Sequence, residues 1–315
     1  AEAQVRTEQL LEKGWRFTRE DSSEFSRVGY DDSKWQSVTV PHDWAIYGPF
    51  DRANDLQTVA VVQNGENVAS EKTGRTGGLP YVGKGSYRRN LDVAPDALDG
   101  RRHILYFDGA MSEAQLYING EKLCFWPYGY NSFWCDVTDN LAPGSNEVVV
   151  LLENRPQSSR WYPGAGLYRK VRYITLPKIH VPVWGTYVTT PYVGAEYASV
   201  RIKTKVVGVE DETPVTLKTR IIDGVGNVVA EKIDTRPIHN GEIEQNINVD
   251  SPSLWSPEEP VLYSAQTEVY TGGSVDTDWK MERPAISISH GNDLQDTYRT
   301  RFGFRTVELR PDKGF

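Results

Sequence analysis

Between Tyr87 and Leu176 the chain is cut into short apolar runs by Gly, Pro and Asn, and this spacing constrains the fold more than any other feature. The runs Tyr87 to Val93, His103 to Asp108, Ala114 to Ile118, Lys122 to Trp126, Asn131 to Val137, Glu147 to Glu153 and Tyr168 to Leu176 are rich in β-branched and aromatic residues. Such side chains suit a pleated, half-buried surface, so each run is read as a strand. Asn119-Gly120 adds a strong two-residue hairpin signal. Seven strands this short and this close predict a sandwich or jelly roll, with almost no helix.

Upstream, Gly14 to Glu20 reads as the first strand, and Asp31-Asp32-Ser33-Lys34-Trp35 as a turn that offers its Trp to the core. Val38-Thr39-Val40-Pro41-His42-Asp43-Trp44 is read as a Pro-bounded corner with a satisfied His and a packed Trp. A His-Asp catalytic dyad is the weaker reading, because adjacent residues of an extended segment face opposite ways and no Ser or Cys nucleophile is placed nearby. From Asp51 to Lys84 the texture is polar, irregular and glycine-rich without phosphate-loop spacing, which suggests a functional loop and a second wall for a binding site.

Two prolines flank an extended connector at Leu176-Pro177-Lys178-Ile179-His180-Val181-Pro182, where a domain boundary is expected. Beyond it the alternation is cleaner. Val200, Ile202, Thr204 and Val206 share one face against Arg201, Lys203 and Lys205, and Val215, Leu217, Thr219 and Ile221 repeat the scheme. Further strands are read at Val228 to Ile233, around Ile243 to Val249, and at Leu262 to Tyr270. Leu254-Trp255-Ser256-Pro257 is read as a sheet-end plug, Thr271 to Gln295 as an inserted loop or short hairpin, and Thr297 to Leu309 as the last strand. About seven strands in this half fit an immunoglobulin-like sandwich.

At 315 residues the chain is long enough for two domains, each with its own core. No apolar run is long enough to span a membrane. A formal net charge of -8 without a local basic patch argues against nucleic acid as a partner. The two cysteines, Cys124 and Cys135, carry no metal spacing; they either meet across a hairpin centred near Gly129 or remain buried free thiols. No metal site or cofactor is read from the sequence. HExxH, CxxC and GxSxG are absent, and no pair of carboxylates is singled out by context for glycoside cleavage.

One stretch does single itself out. Ser158-Ser159-Arg160-Trp161-Tyr162-Pro163-Gly164-Ala165-Gly166-Leu167-Tyr168-Arg169 joins two strands with a guanidinium beside aromatics, followed by Gly-Ala-Gly. Rings in such a loop can stack on a ligand, and glycines permit close backbone approach or bending.

Together with Asp31-Asp32-Ser33 and Trp35, Val40-Pro41-His42-Asp43-Trp44, Gly83-Lys84-Gly85-Ser86-Tyr87-Arg88-Arg89, Tyr117-Ile118-Asn119-Gly120, Pro127-Tyr128-Gly129-Tyr130 with Phe133, and Phe302-Gly303-Phe304-Arg305, this loop resembles glycoside hydrolase family 2. The likeness is closest to the bacterial β-galactosidase members and runs in order from about Gly14 to Phe315. It implies an all-β chain: a jelly-roll, galactose-binding-like β-sandwich over 1–177, an immunoglobulin-like β-sandwich over 178–309, and at 310–315 the lead-in to a (β/α)8 catalytic barrel. In the family that barrel supplies both glutamates of a retaining mechanism, so no catalytic residue is expected in this chain and the 315 residues are expected to be inactive alone.

The resemblance further implies that the loop walls a pocket completed by the barrel. Arg160 and Trp161 are the candidate substrate-binding residues, Arg160 as hydrogen-bond donor and Trp161 as wall. Some relatives carry an acid where this chain has Ser159-Arg160-Trp161. The competing reading pairs Arg160 with a domain-two carboxylate and buries Trp161 as a loop plug. Expected partners are a β-galactoside and the chain's own barrel, with homo-oligomer contacts in addition. A free-standing carbohydrate-binding protein is the alternative from another class, and β-glucuronidase or β-mannosidase the alternatives within the family. Ala1-Glu2-Ala3-Gln4 is already polar, so the protein is read as periplasmic or secreted with its signal peptide removed, or else as cytoplasmic.

Overall fold

The computed structural model describes residues 6–54, 58–63, 65–73, 79–159, 161–278 and 285–312. It is all-β, and two compact units divide the chain: Thr7 to Thr175, and the chain from Leu176 onward together with Arg6.

In the first unit two sheets form a sandwich. One has the order β1 (Thr7–Leu10), β12 (Val171–Leu176), β7 (Arg102–Phe107), β10 (Phe133–Asp136). The other has the order β3 (Gln36–Val38), β2 (Trp15–Thr18), β6 (Gly83–Val93), β11 (Gly144–Asn154), β8 (Ala114–Ile118), β9 (Glu121–Trp126). All seven runs read as strands between Tyr87 and Leu176 are strands. β1 was not legible, because Thr7-Glu8-Gln9-Leu10 is exposed and owes its state to pairing with β12. The polar stretch after Asp51 is less irregular than its composition suggests, since β4 (Thr58–Val61) and β5 (Ser70–Thr73) form a hairpin; Gly74, Gly77 and Gly78 lie outside the described residues.

β11 explains itself physically. Val148, Val150 and Leu152 enter the main core with Trp15, Trp44, Tyr87, Phe107 and Leu167, while Val149 and Leu151 enter a smaller cluster with Phe25 and Trp35 on the opposite face. A strand buried on both faces reads as a continuous apolar run instead of an alternating one. The smaller cluster is closed by Arg88, whose side chain is 4% exposed. Its guanidinium donates to Asp32 at 3.2 Å, to Glu147 at 3.0 Å and to the carbonyls of Phe25 and Arg27.

Cys124 and Cys135 form a disulfide, with Cα atoms 6.4 Å apart. The bridge does not cross a hairpin ladder: β9 and β10 are edge strands of different sheets, and the bond staples the two sheets together along one side.

The second unit is an immunoglobulin-like sandwich of a three-stranded sheet, β13 (Thr186–Val193), β14 (Tyr197–Lys205), β17 (Glu242–Asp250), and a four-stranded sheet, β16 (Val228–Pro237), β15 (Pro214–Ile222), β18 (Tyr263–Thr271), β21 (Asp293–Phe302). The hairpin expected within Thr271 to Gln295 is β19 (Ser274–Asp278) with β20 (Ala285–Ser289). The last strand ends at Phe302 and not Leu309, because Phe304 turns into the core, fully buried, and bridges Leu254. Of the stretch Leu254-Trp255-Ser256-Pro257 read as a sheet-end plug, Leu254 is exposed and Trp255 half-buried, while Phe304 beside it is fully buried. At the start of this unit Asp296, fully buried, accepts two bonds from Arg6 and one from the Val181 amide. Of the barrel lead-in read at 310–315, residues 313–315 lie outside the described residues.

Candidate functional site

Beyond Asn154, where β11 ends, the chain turns back on itself before entering β12. Ser158 Oγ donates to the Arg155 carbonyl at 2.7 Å and closes the turn, in which Gln157 takes a left-handed φ of 59°. Ser159 Oγ lies 3.2 Å from the Trp161 amide that donates to it. Trp161 is left 57% exposed, so it is not a buried plug. Arg160, the other residue singled out from the sequence, lies outside the described residues.

The segment after Trp161 is pinned. Tyr162 donates its hydroxyl to Asp43 Oδ2 at 2.6 Å, and the Ala165 amide donates to Asp43 Oδ1 at 3.0 Å. The Ala45 amide shares Oδ1 at 3.0 Å, so both Asp43 oxygens are engaged. Burial, together with the neighbouring Asp43 carboxylate, pushes the Tyr162 hydroxyl far up, which keeps it a donor. Gly166 exchanges two backbone hydrogen bonds of 2.9 Å with Met111. A Cβ at Gly166 would stand 2.4 Å from the Tyr87 hydroxyl and 2.6 Å from the His42 carbonyl, at a φ of +114°. Gly164-Ala165-Gly166 is therefore not a hinge: its glycines permit close approach to the core, and the bending expected of them is absent from this geometry.

His42 is a satisfied core residue, as its corner position suggested. Its Nδ1 is 2.7 Å from the Tyr87 hydroxyl, and burial holds the ring below its ordinary pKa. With Asp43 occupied by Tyr162 and two amides, no His-Asp dyad exists there. Trp44 is fully buried and donates to the Val82 carbonyl at 2.7 Å.

The exposed Trp161 faces a pocket of about 370 Å³. Its indole Nε1 donates to the Tyr130 hydroxyl at 2.8 Å, and Tyr130 meets Tyr128 edge-on at 5.5 Å between centroids. Tyr168 ties the same segment down by donating to the Gly129 carbonyl at 2.9 Å. A Cβ at Gly129 would lie 2.3 Å from Met111 Sδ, so that side chain would have to shift to admit one. Opposite the rings, Arg155 and Glu113 form a forked pair, Nε to Oε1 at 2.8 Å and Nη2 to Oε2 at 2.9 Å. Ser112, Ser158 and Ser159 also line the pocket.

Sequence reasoning found Trp161 but missed Tyr128, Tyr130, Glu113 and Arg155. Pro127-Tyr128-Gly129-Tyr130 carried a signal, two aromatics around a glycine in a turn, whereas nothing local links Glu113 to Arg155. Among the described residues none of the Asp51 to Lys84 stretch lines this pocket; residues 111–113 and 127–130 do. Among the described residues no group of three or more His, Cys, Asp or Glu is arranged to hold a metal ion. The structure thus sets a pocket with an aromatic side and a hydroxyl-rich rim on the first of two consecutive β-sandwiches.

Comparison with known proteins gives the family. Residues 10–177 match the sugar binding domain of glycosyl hydrolases family 2, and residues 180–281 match a second domain of glycosyl hydrolases family 2. The chain belongs to glycosyl hydrolases family 2. It is 32% identical over 308 residues to the β-galactosidase BoGH2A of Bacteroides ovatus, covering 96% of this chain and 32% of that protein. A putative β-glucuronidase of Formosa agariphila is 29% identical over 311 residues, 98% of this chain and 26% of that protein. Among solved structures, a glycosyl hydrolase family 2 member from Bacteroides cellulosilyticus superposes with a TM-score of 0.80 at 27% identity, over 98% of this chain and 36% of that one. The chain thus spans about a third of the length of the relatives it matches.

Proposed function

We propose that the chain is the N-terminal, non-catalytic portion of a retaining exo-β-glycosidase, a β-galactosidase, that releases terminal non-reducing sugars from oligo- or polysaccharides. The observation that carries this reading is the 32% identity to a β-galactosidase along 96% of the chain. In this assignment a catalytic barrel follows the two sandwiches and supplies both glutamates, while the loop through Trp161 walls the pocket. Arg160 donates to a sugar hydroxyl or carboxylate. The 315-residue chain has no hydrolase activity by itself, and its sandwiches supply the contacts of a homo-oligomer.

We also propose that the protein is exported, to the periplasm or beyond. The Cys124–Cys135 disulfide supports this, because structural disulfides persist in oxidising compartments.

The experiment compares the 315-residue chain with the longer polypeptide encoded at its locus, using nitrophenyl β-galactoside, β-glucuronide and β-mannoside. Turnover of the galactoside by the longer polypeptide alone is expected. Turnover by the purified 315-residue chain would sink the non-catalytic assignment, and preference for the glucuronide or mannoside would replace the galactosidase one.

A further inference from the structure

We propose that the Cys124–Cys135 bond is a redox-sensitive latch on residues 125–134. Oxidised, it clamps Trp126 and the turn of Tyr128 and Tyr130 in place; reduced by a dithiol, it releases them while the rest of the first sandwich stays folded. The proposal stands apart from the galactosidase reading, since none of its readouts is turnover.

Three observations carry it. The first is where the bond sits. It joins two edge strands, and each has a single neighbour in its sheet: β9 pairs with β8, and β10 with β7. The ladder between β8 and β9 is irregular beside the bond, where Cys124 lies opposite Leu116 and Lys122 opposite Tyr117, so Leu123 has no opposite residue. A bulged edge strand gives way before strands paired on both sides, such as β6 and β11.

The second is a donor held out of water. Trp126 stacks on Phe133 at 5.7 Å between centroids, and Phe133 on Phe107 at 4.7 Å, so the indole is held at the base of the closed loop. Its Nε1–H is buried, and among the described residues no acceptor reaches it. Such a group favours any arrangement that returns it to water. Cys124 and Cys135 stand two residues outside Trp126 and Phe133, and their bond keeps the base of the loop from parting that way.

The third is how little else holds the turn. Tyr130 accepts from the Trp161 indole at 2.8 Å, the Gly129 carbonyl from Tyr168 at 2.9 Å, and Ser132 donates to the Asp108 carbonyl at 3.2 Å. None of these three bonds is fully buried, so water can replace each. Phe125, Tyr128 and Trp134 are already 50%, 53% and 40% exposed, so release uncovers little ring surface beyond that of Trp126.

Burial also says which sulfur a reductant meets, since Cys124 is half-buried and Cys135 only 5% exposed. A thiolate of the dithiol bonds to Cys124 Sγ as the S–S bond breaks, and Cys135 leaves as a thiolate that takes a proton from water. The second thiol of the reductant then displaces Cys124 from the mixed disulfide, leaving two protein thiols and the cyclic, oxidised reductant.

The test follows the isotope-labelled 315-residue chain by NMR through a titration with dithiothreitol, below its unfolding temperature, with protein thiols counted at each step. The indole N–H resonances of Trp126 and Trp161 and the amides of 125–134 should move or broaden in proportion to the thiols found, and return on reoxidation. Solvent exchange of the Trp126 indole should rise about tenfold or more. The amide resonances of β6 and β11 should keep their positions. Replacing both cysteines by Ser should give the reduced-state spectrum without dithiol. Trp126→Phe removes the orphaned donor, so its reduced form should keep the Trp161 indole near the oxidised position.

Two thiols per chain with unmoved Trp126 and Trp161 resonances overturn the latch. So does loss of the β6 and β11 resonances together with those of the loop, which makes the bond a staple for the whole unit. Failure of the dithiol to reduce the folded chain overturns its redox sensitivity. Release in Trp126→Phe as complete as in the parent chain overturns the role assigned to the buried indole.

Discussion

Replacing Arg88 by Met is the most informative perturbation of the first sandwich, because the side-chain volume is kept and only the charge and its donors are lost. Arg88 is 4% exposed, while Asp32 and Glu147 are 30% and 22% exposed. In the variant both carboxylates recover some water, so neither is fully orphaned, and Glu147 keeps the Gly29 amide as a donor at 2.9 Å. The Phe25 carbonyl has no such relief, as its bond to Arg88 is buried. Two charge-assisted hydrogen bonds discounted for partial exposure, at about 1 kcal/mol each, and one stranded carbonyl at about 1–2 kcal/mol sum to about 3–4 kcal/mol. For a unit of this size that lowers Tm by roughly 6–16 °C.

The measurement is urea unfolding monitored by near-ultraviolet circular dichroism, with the two sandwiches fitted as separate transitions. Only the transition of the first unit should move. Arg88→Lys should recover less than half of the loss, since one ammonium cannot reach both carboxylates and the carbonyls together. A loss below about 1 kcal/mol in Arg88→Met, or full recovery by Lys, would refute the reasoning that this guanidinium closes the cluster of Phe25 and Trp35.

Three further outcomes are expected. Burial holds His42, His103 and His180 below the ordinary 6.5, so folding favours their neutral forms. Their contribution is complete above pH 6.5 and drains away as pH falls through the lowered folded values, by up to about 1.4 kcal/mol per pH unit for each histidine; a Tm that stays flat between about pH 7.5 and 5.5 would contradict this. Replacing both cysteines by Ala opens a loop with a sequence separation of 11, which predicts a loss of about 2.8 kcal/mol in chemical denaturation; an unchanged midpoint under reducing conditions would argue that the staple is dispensable. Gly166→Ala should fail to reach the native state or lose more than about 3 kcal/mol, because a left-handed φ and contacts of 2.4 and 2.6 Å coincide there; soluble, cooperatively folded Gly166→Ala protein would show that the segment can yield.

The sandwich was legible because its strongest strands carry their own signal. β6, β11 and the second-unit strands β14 and β15 alternate or run apolar according to which faces they bury. β1 carried none, since its residues are exposed and only β12 holds it extended, while β4, although β-branched in Thr58-Val59-Ala60-Val61, lay inside a polar stretch. The pocket beside Trp161 was half legible for a related reason. Trp161 sits in a stretch whose composition is unusual by itself, but Glu113 and Arg155 become a pair only when residues 42 positions apart are brought together. The disulfide was equally undecided in sequence, because spacing alone does not reveal that Cys124 and Cys135 stand on edges of different sheets.

β11 matters to the pocket through more than its burial. It is anchored by β6 along eleven residues on one side and by β8 on the other, and both of its faces are covered. Its amides should therefore be among the last of the first unit to exchange with heavy water, opening only with the whole sandwich. The turn carrying Trp161 springs from the end of that strand, where Asn154 is buried and donates to the Gly164 carbonyl at 2.7 Å. Trp161 is thus carried beside the part of the first unit expected to exchange slowest, on a backbone base that opens only with the whole sandwich.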